Sequence, residues 1–162
     1  MDSRTTVLYV DDNPRSSRLL AGVLEQCGFR VIAKNDPAEA LALSRHCSFD
    51  LALLDYEMPV MSGARLAREV KFLMPDLPVV LISGRTEIPS TELEFVDAHF
   101  GFGTSLDDLL WTMRILVTPK VFVPEHRQIA EGSDVRDHRH ARGDRHIPDH
   151  PWFMESRWSD ST

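Results

Sequence analysis

Short apolar runs alternate along the chain with segments whose apolar residues recur every three or four positions. Thr6–Val10 (TVLYV) reads as a buried strand, closed by Asp11, Asp12, Asn13 and Pro14. Pro14 suits the first turn of a helix with Asn13 or Asp12 as its cap. Leu20, Val23, Leu24 and Cys27 mark that helix's apolar stripe, and Gly28 stops it. Arg30–Lys34 (RVIAK) predicts a second strand, and Asp36 and Pro37 open a second helix running through Leu41 to about Cys47. Residues 50–54 (DLALL) form a third strand that ends in Asp55, after which Ser62 and Gly63 lead into a helix with Leu66, Val70 and Leu73 on one side. Residues 77–82 (LPVVLI) are a fourth strand, broken by Ser83 and Gly84. A shorter helix is expected within residues 90–96 and the weakest strand over 98–102. Leu109, Leu110, Met113 and Val117 then place a final helix over Leu106–Val117.

Five strand-then-helix units imply a parallel sheet with helices on both faces. Right-handed crossovers leave few topologies for it. The expected fold is α/β: a flavodoxin-like (βα)5 three-layer sandwich whose parallel five-stranded sheet has the order 2-1-3-4-5. Ligands of such sheets bind beyond the carboxyl ends of the strands, where the strand order reverses. That point lies between the first and third strands, at Asp11, Asp12 and Asp55.

Composition divides the chain in two. Residues 120–162 hold 12 hydrophobic residues among 43, five of the seven histidines, and a near balance of seven basic against eight acidic side chains. The first 119 residues carry 11 basic and 17 acidic side chains, nearly all of the net charge of −7. The expectation is a compact acidic domain over residues 1–118 and a polar, disordered tail over 119–162. The acidic balance argues against broad nucleic-acid binding, and the tail shows no helix-turn-helix pattern or basic stripe, so no direct DNA binding is expected. Two cysteines are too few for a disulfide framework. With no leader and no apolar run approaching a membrane span, a cytoplasmic protein without membrane association is expected.

Three carboxylates at one sheet edge repel one another unless a cation intervenes. Mg²⁺ suits such oxygen ligands: it is held by one or two carboxylates and accepts phosphate oxygens. A carboxylate beside it can attack phosphorus and form an aspartyl-phosphate. Asp55, ending the third strand, is the best nucleophile candidate, with Asp11 and Asp12 as the ion's partners. The Ser83 hydroxyl could bond a phosphoryl oxygen. Each residue also has an ordinary reading. Asp11, Asp12 and Asn13 could simply cap a helix, Asp55 could be a solvated turn residue, and Ser83-Gly84 is common turn chemistry. The tail histidines lack zinc-module spacing.

The stretches VLYVDDNP at 7–14, DLALLDYEMPVMSG at 50–63 and VVLISG at 79–84 resemble the receiver domain of two-component response regulators, over about residues 5–117. The resemblance implies that Asp55 is the phosphoacceptor, charged by a sensor histidine kinase or phosphotransfer protein. It implies that Asp11 and Asp12 bind Mg²⁺ together with Asp55 and the backbone carbonyl of Glu57, and that Ser83 is the switch hydroxyl. Such a protein is a phosphoryl acceptor, at most autocatalytic in phosphotransfer and dephosphorylation, and not otherwise an enzyme. Its output is contact with a downstream protein, unidentified here, through the face of the fourth helix, fifth strand and fifth helix. A homodimer through that face is left open. The usual Lys-Pro pair after the fifth strand is absent: Phe102 stands at the lysine position and Gly103 at the proline, while His99 takes the place of the switch aromatic. That departure motivates an alternative, a pseudo-receiver interaction module independent of phosphorylation. A phosphatase with an aspartyl-phosphate intermediate ranks last, because it needs a second Asp two residues after the nucleophile, whereas Asp11 is followed by Asp12 and Asn13.

Overall fold

A computed structural model describes residues 4–118, apart from Thr86 and Phe102. The expected polar tail and the residue at the lysine position therefore lie outside the described residues. Five strands, β1 (Thr6–Val10), β2 (Arg30–Lys34), β3 (Leu51–Asp55), β4 (Val79–Ile82) and β5 (Ala98–Phe100), form one parallel sheet in the order β2-β1-β3-β4-β5. Four α-helices cover it: α1 (Pro14–Gln26), α2 (Pro37–Ser44), α3 (Gly63–Leu73) and α4 (Leu106–Val117). The expected sheet order and architecture are both observed.

The apolar runs are continuous because both faces of the central strands are buried. Successive side chains of a strand point to opposite faces. Leu8, Val10, Ala52 and Leu54 accordingly enter one core with Leu66, Ala67 and Val70 of α3. Val7, Tyr9, Leu51 and Leu53 enter the other with Leu24 of α1 and Leu109, Leu110 and Met113 of α4. The helix starts follow from local chemistry. Asn13, rather than Asp12, caps α1, accepting from the backbone N–H of Arg15 and Ser16, while Pro14 supplies the fixed φ of the first turn. Asp36 caps α2 and Ser62 caps α3 in the same way.

One element differs. The helix expected within residues 90–96 is a single 3-10 turn, Ser90–Glu92. Ile88 just before this segment and Leu93, Phe95 and Val96 within it pack on the core, a spacing that gives no helical stripe. Pro89 further restricts the conformation of Ile88 before it. Among the described residues the final helix is thus the fourth, and the expected output face consists here of a 3-10 turn, β5 and α4. Smaller differences are that α2 stops at Ser44, β4 begins only at Val79, β5 ends at Phe100 and Leu73 is exposed.

The sheet's hydrogen bonding continues one residue past the strand ends. Asp11 N–H donates to Lys34 O (3.1 Å), Tyr56 N–H to Ile82 O (2.8 Å) and Ser83 N–H to Phe100 O (2.9 Å). The positions of Asp11, Asp55 and Ser83 are therefore set by the sheet itself and not by loops.

Candidate functional site

At the carboxyl edge of the sheet, Asp11, Asp12 and Asp55 each offer a carboxylate oxygen within 4.8 Å of the others. They come from β1 and β3, the adjacent strands where the order reverses. Asp11 is buried and both of its oxygens are engaged. Oδ2 accepts from the Tyr9 hydroxyl (2.6 Å) and Oδ1 from the Asn13 backbone N–H (2.8 Å), while the Asn35 amide donates to the Asp11 carbonyl (2.6 Å). A buried hydrogen bond to a charged group contributes about 1.5–3 kcal/mol. The Tyr9 hydroxyl therefore both stabilises and orients this carboxylate. Burial chiefly, then the Asp11 acceptor and the nearby charges, raises the Tyr9 phenol well above its usual range and keeps it a donor.

Asp55 is half-buried, and burial pushes its carboxyl above the usual carboxylate range. The Glu57 backbone N–H, 3.4 Å from Oδ1, works against that shift, while the charges of Asp11, Asp12 and Glu57 add to it. The trio is a strained set of anions whose hard oxygen donors fit a divalent cation such as Mg²⁺. Asp55 also lines a cleft of about 360 Å³ on its β4 side, together with Ser83, Gly84, Gly101, Thr104 and Ser105. Ser83 is buried, and its Oγ accepts from the Arg85 backbone N–H (2.9 Å).

The turn after β3 closes tightly over this site. Gly63 N–H donates to Tyr56 O (3.1 Å), and a Cβ on Gly63 would collide with the Asp55 carbonyl oxygen and come within 2.8 Å of Leu81 Cδ1. Glycine is required there by space. Val60, with φ 69° and almost fully exposed, sits at the centre of a three-residue turn closed by Met61 N–H to Pro59 O (2.7 Å). That conformation is strained for a β-branched residue.

The geometry agrees with comparisons to known proteins. The family model described as the response regulator receiver domain matches residues 7–99, more than half of the chain. This chain belongs to the response regulator receiver family. The C4-dicarboxylate transport transcriptional regulatory protein DctD of Rhizobium meliloti is 27% identical over 137 residues, 83% of this chain and 30% of that protein. The autoinducer 1 sensor kinase/phosphatase LuxN of Vibrio campbellii is 34% identical over 92 residues, 57% of this chain and 11% of that protein. The chain thus spans less than a third of the length of these curated relatives. Among solved structures, the Thermotoga maritima response regulator TrrA in complex with Mg²⁺-BeF aligns with a TM-score of 0.65 and 26% identity, over 69% of this chain and 98% of that one. A CheY-like receiver domain protein of Methanospirillum hungatei aligns with a TM-score of 0.67 and 25% identity, over 71% of this chain and 94% of that one.

The acids read from the sequence converge at one point, and Ser83 shares a cleft with one of them. His99 is exposed on β5, in register with Leu81 of β4. Two side chains at this edge escape a reading of the sequence. Tyr9 looks like one more apolar residue of β1, although its position two before Asp11 puts both on the same side of the strand. Arg85, whose Nε lies 3.6 Å from Glu57 Oε1, carries no sequence signal. Among the described residues, no helix is long and apolar enough to cross a membrane.

Proposed function

We propose that this receiver accepts a phosphoryl group on Asp55 from a sensor histidine kinase or phosphotransfer protein, in a cytoplasmic two-component phosphorelay. The convergence of Asp11, Asp12 and Asp55 within 4.8 Å carries this reading, because such a trio is tolerable beside a divalent cation and costly without one. Asp11 and Asp12, with Asp55 and the backbone carbonyl of Glu57, would hold Mg²⁺. When bound there, the ion would supply positive charge to the phosphoryl oxygens in the transition state. A carboxylate oxygen of Asp55 attacks phosphorus on the donor. The new P–O bond forms as the donor's P–N bond breaks, and the departing imidazole keeps the electron pair of that bond. Tyr9 holds the Asp11 carboxylate in place throughout, through its 2.6 Å hydrogen bond.

Ser83 lines the same cleft, and its hydroxyl is the group we assign to follow the phosphoryl oxygens. Its present donor, the Arg85 backbone N–H, belongs to the segment leading to the 3-10 turn and β5, so a shift of Ser83 would be passed to that segment. Output would be protein–protein contact on the face of the 3-10 turn, β5 and α4, the last of which exposes Trp111 and Ile115. A homodimer through this face is an outcome that light scattering of the phosphorylated form would reveal. Residues 1–118 are assigned as the receiver and 119–162 as a tail outside it.

The test is an intact-mass measurement after incubation with Mg²⁺ and acetyl phosphate. A gain of about 80 Da, the mass of a phosphoryl group, that disappears in Asp55→Asn supports the reading. A gain that persists in Asp55→Asn, or no gain, overturns it.

A further inference from the structure

A phosphoryl group on Asp55 brings about two additional negative charges to an edge that already holds Asp11, Asp12 and Glu57. A divalent cation held by the trio would offset this on the β1 side. The cleft on the β4 side offers nothing comparable. It is lined by Ser83, Gly84, Gly101, Thr104 and Ser105 among others, with no basic side chain among its described lining residues. Residue 102, where the resemblance expects a lysine, is a phenylalanine.

The residue immediately after Gly84, at the rim of this cleft, is Arg85. Its backbone N–H is held by Ser83 Oγ at 2.9 Å, which fixes the start of its side chain beside the hydroxyl of a residue that shares the cleft with Asp55. The side chain folds over the turn that follows Asp55. Its guanidinium carbon is 6.0 Å from the Tyr56 ring centroid, and its Nε is 3.6 Å from Glu57 Oε1. Both members of that ion pair are half exposed, at 57% and 50%. At 3.6 Å the contact is longer than a charge-assisted hydrogen bond, and an exposed pair of this kind holds weakly. Gly84 lets the two turns approach, since a Cβ there would come within 3.2 Å of Glu57 Oε2. Arg85, two residues after Ser83, is thus a cation parked against Glu57, itself two residues after Asp55.

We propose that Arg85 is the cationic partner of the phosphoryl group, exchanging Glu57 for the phosphoryl oxygens once Asp55 is modified. The inference rests on the reading of Asp55 as the acceptor. A guanidinium presents a planar fork of donors that matches phosphoryl oxygens bidentately, and a doubly charged group outcompetes one solvated carboxylate. The exchange draws the segment after Gly84 toward Asp55. It also supplies, from the segment after β4, the charge that the loop after β5 lacks at residue 102.

Beryllofluoride, an anionic mimic of the phosphoryl group, separates this role from the others. Its affinity at saturating Mg²⁺ is measured by calorimetry for the full chain and for Arg85→Ala, Arg85→Lys and Glu57→Gln. The rate of phosphorylation by acetyl phosphate is followed in parallel. Arg85→Ala is expected to weaken beryllofluoride binding and slow phosphorylation by about tenfold, less than the loss of a fully buried oxyanion donor because the site is solvated. Arg85→Lys restores most of both, and Glu57→Gln, which frees the guanidinium, improves them. Affinity for Mg²⁺ alone is not weakened in Arg85→Ala, which a general loss of structure would not allow. If Arg85→Ala binds beryllofluoride as the unmodified chain does, the proposal is overturned while the reading of Asp55 stands. If the unmodified chain takes neither beryllofluoride nor phosphoryl, the reading of Asp55 falls and the proposal with it.

Discussion

Replacing Asp55 with Asn should make the metal-free domain more stable. The substitution preserves shape and keeps an acceptor for the Glu57 N–H, but it removes one charge from three whose oxygens lie within 4.8 Å. Two unit charges at that separation repel by about 3–4 kcal/mol at an effective dielectric constant of 20 and by about 1 kcal/mol in bulk water. Asp55 is half-buried, so screening places each pair near the lower value. Removing its two pairs, with Asp11 and Asp12, then relieves about 1–2 kcal/mol. The pH dependence follows from the raised carboxyl of Asp55. A folded-state pKa above the unfolded one means that ionisation costs stability. The cost is absent below the ordinary carboxylate range, grows as pH rises through the raised folded value, and is complete at neutral pH. The advantage of Asp55→Asn should therefore be full at pH 7 and fade at the acid end. Mg²⁺ should narrow or reverse it, because a ligand of the folded state stabilises the chain that binds it better. Urea unfolding followed by circular dichroism measures all three, in chelator across pH and at neutral pH with Mg²⁺. A variant less stable than the parent in chelator at pH 7 would refute the reasoning. So would a gain that ignores both pH and Mg²⁺.

Three further substitutions probe the same edge. Gly63→Ala forces a methyl against the Asp55 carbonyl and Leu81, so it should cost about 1–3 kcal/mol or more in urea unfolding and weaken Mg²⁺ binding measured by calorimetry. Val60→Gly relieves a positive φ at an exposed position, and should stabilise by about 0.5–1 kcal/mol after glycine's own entropic cost, seen as a melting point higher by a few degrees. Tyr9→Phe removes the donor to buried Asp11 and should cost about 1.5–3 kcal/mol at neutral pH in the same unfolding assay, while lowering Mg²⁺ affinity.

The strands were legible because β1, β3 and β4 are buried on both faces, which forces unbroken apolar runs, and because polar residues and glycine punctuate their ends. α1, α2 and α3 were legible from Asn13-Pro14, Asp36-Pro37 and Ser62-Gly63, all local chemistry. Residues 90–96 were not. Leu93, Phe95 and Val96 do pack on the core, but a long link between parallel strands can bury them from a 3-10 turn as well as from a helix, and only the path of the chain decides. The three acids could be placed together because each ends a strand whose neighbours the topology fixes. Tyr9 was hidden by its hydrophobic company: its hydroxyl matters only because Asp11 lies two residues on, on the same side of β1. Arg85 depends on how the β4–β5 segment folds back over Tyr56 and Glu57, a tertiary fact that no local spacing encodes.

The most direct test locates the phosphoryl group. After reaction with acetyl phosphate and Mg²⁺, borohydride reduces an aspartyl-phosphate to homoserine, and fragmentation of the peptide containing β3 identifies the reduced residue. The account predicts homoserine at position 55, dependent on Mg²⁺ and on the phosphodonor. Reduction at another acid, or an unreduced Asp55 after full exposure to the donor, would contradict it.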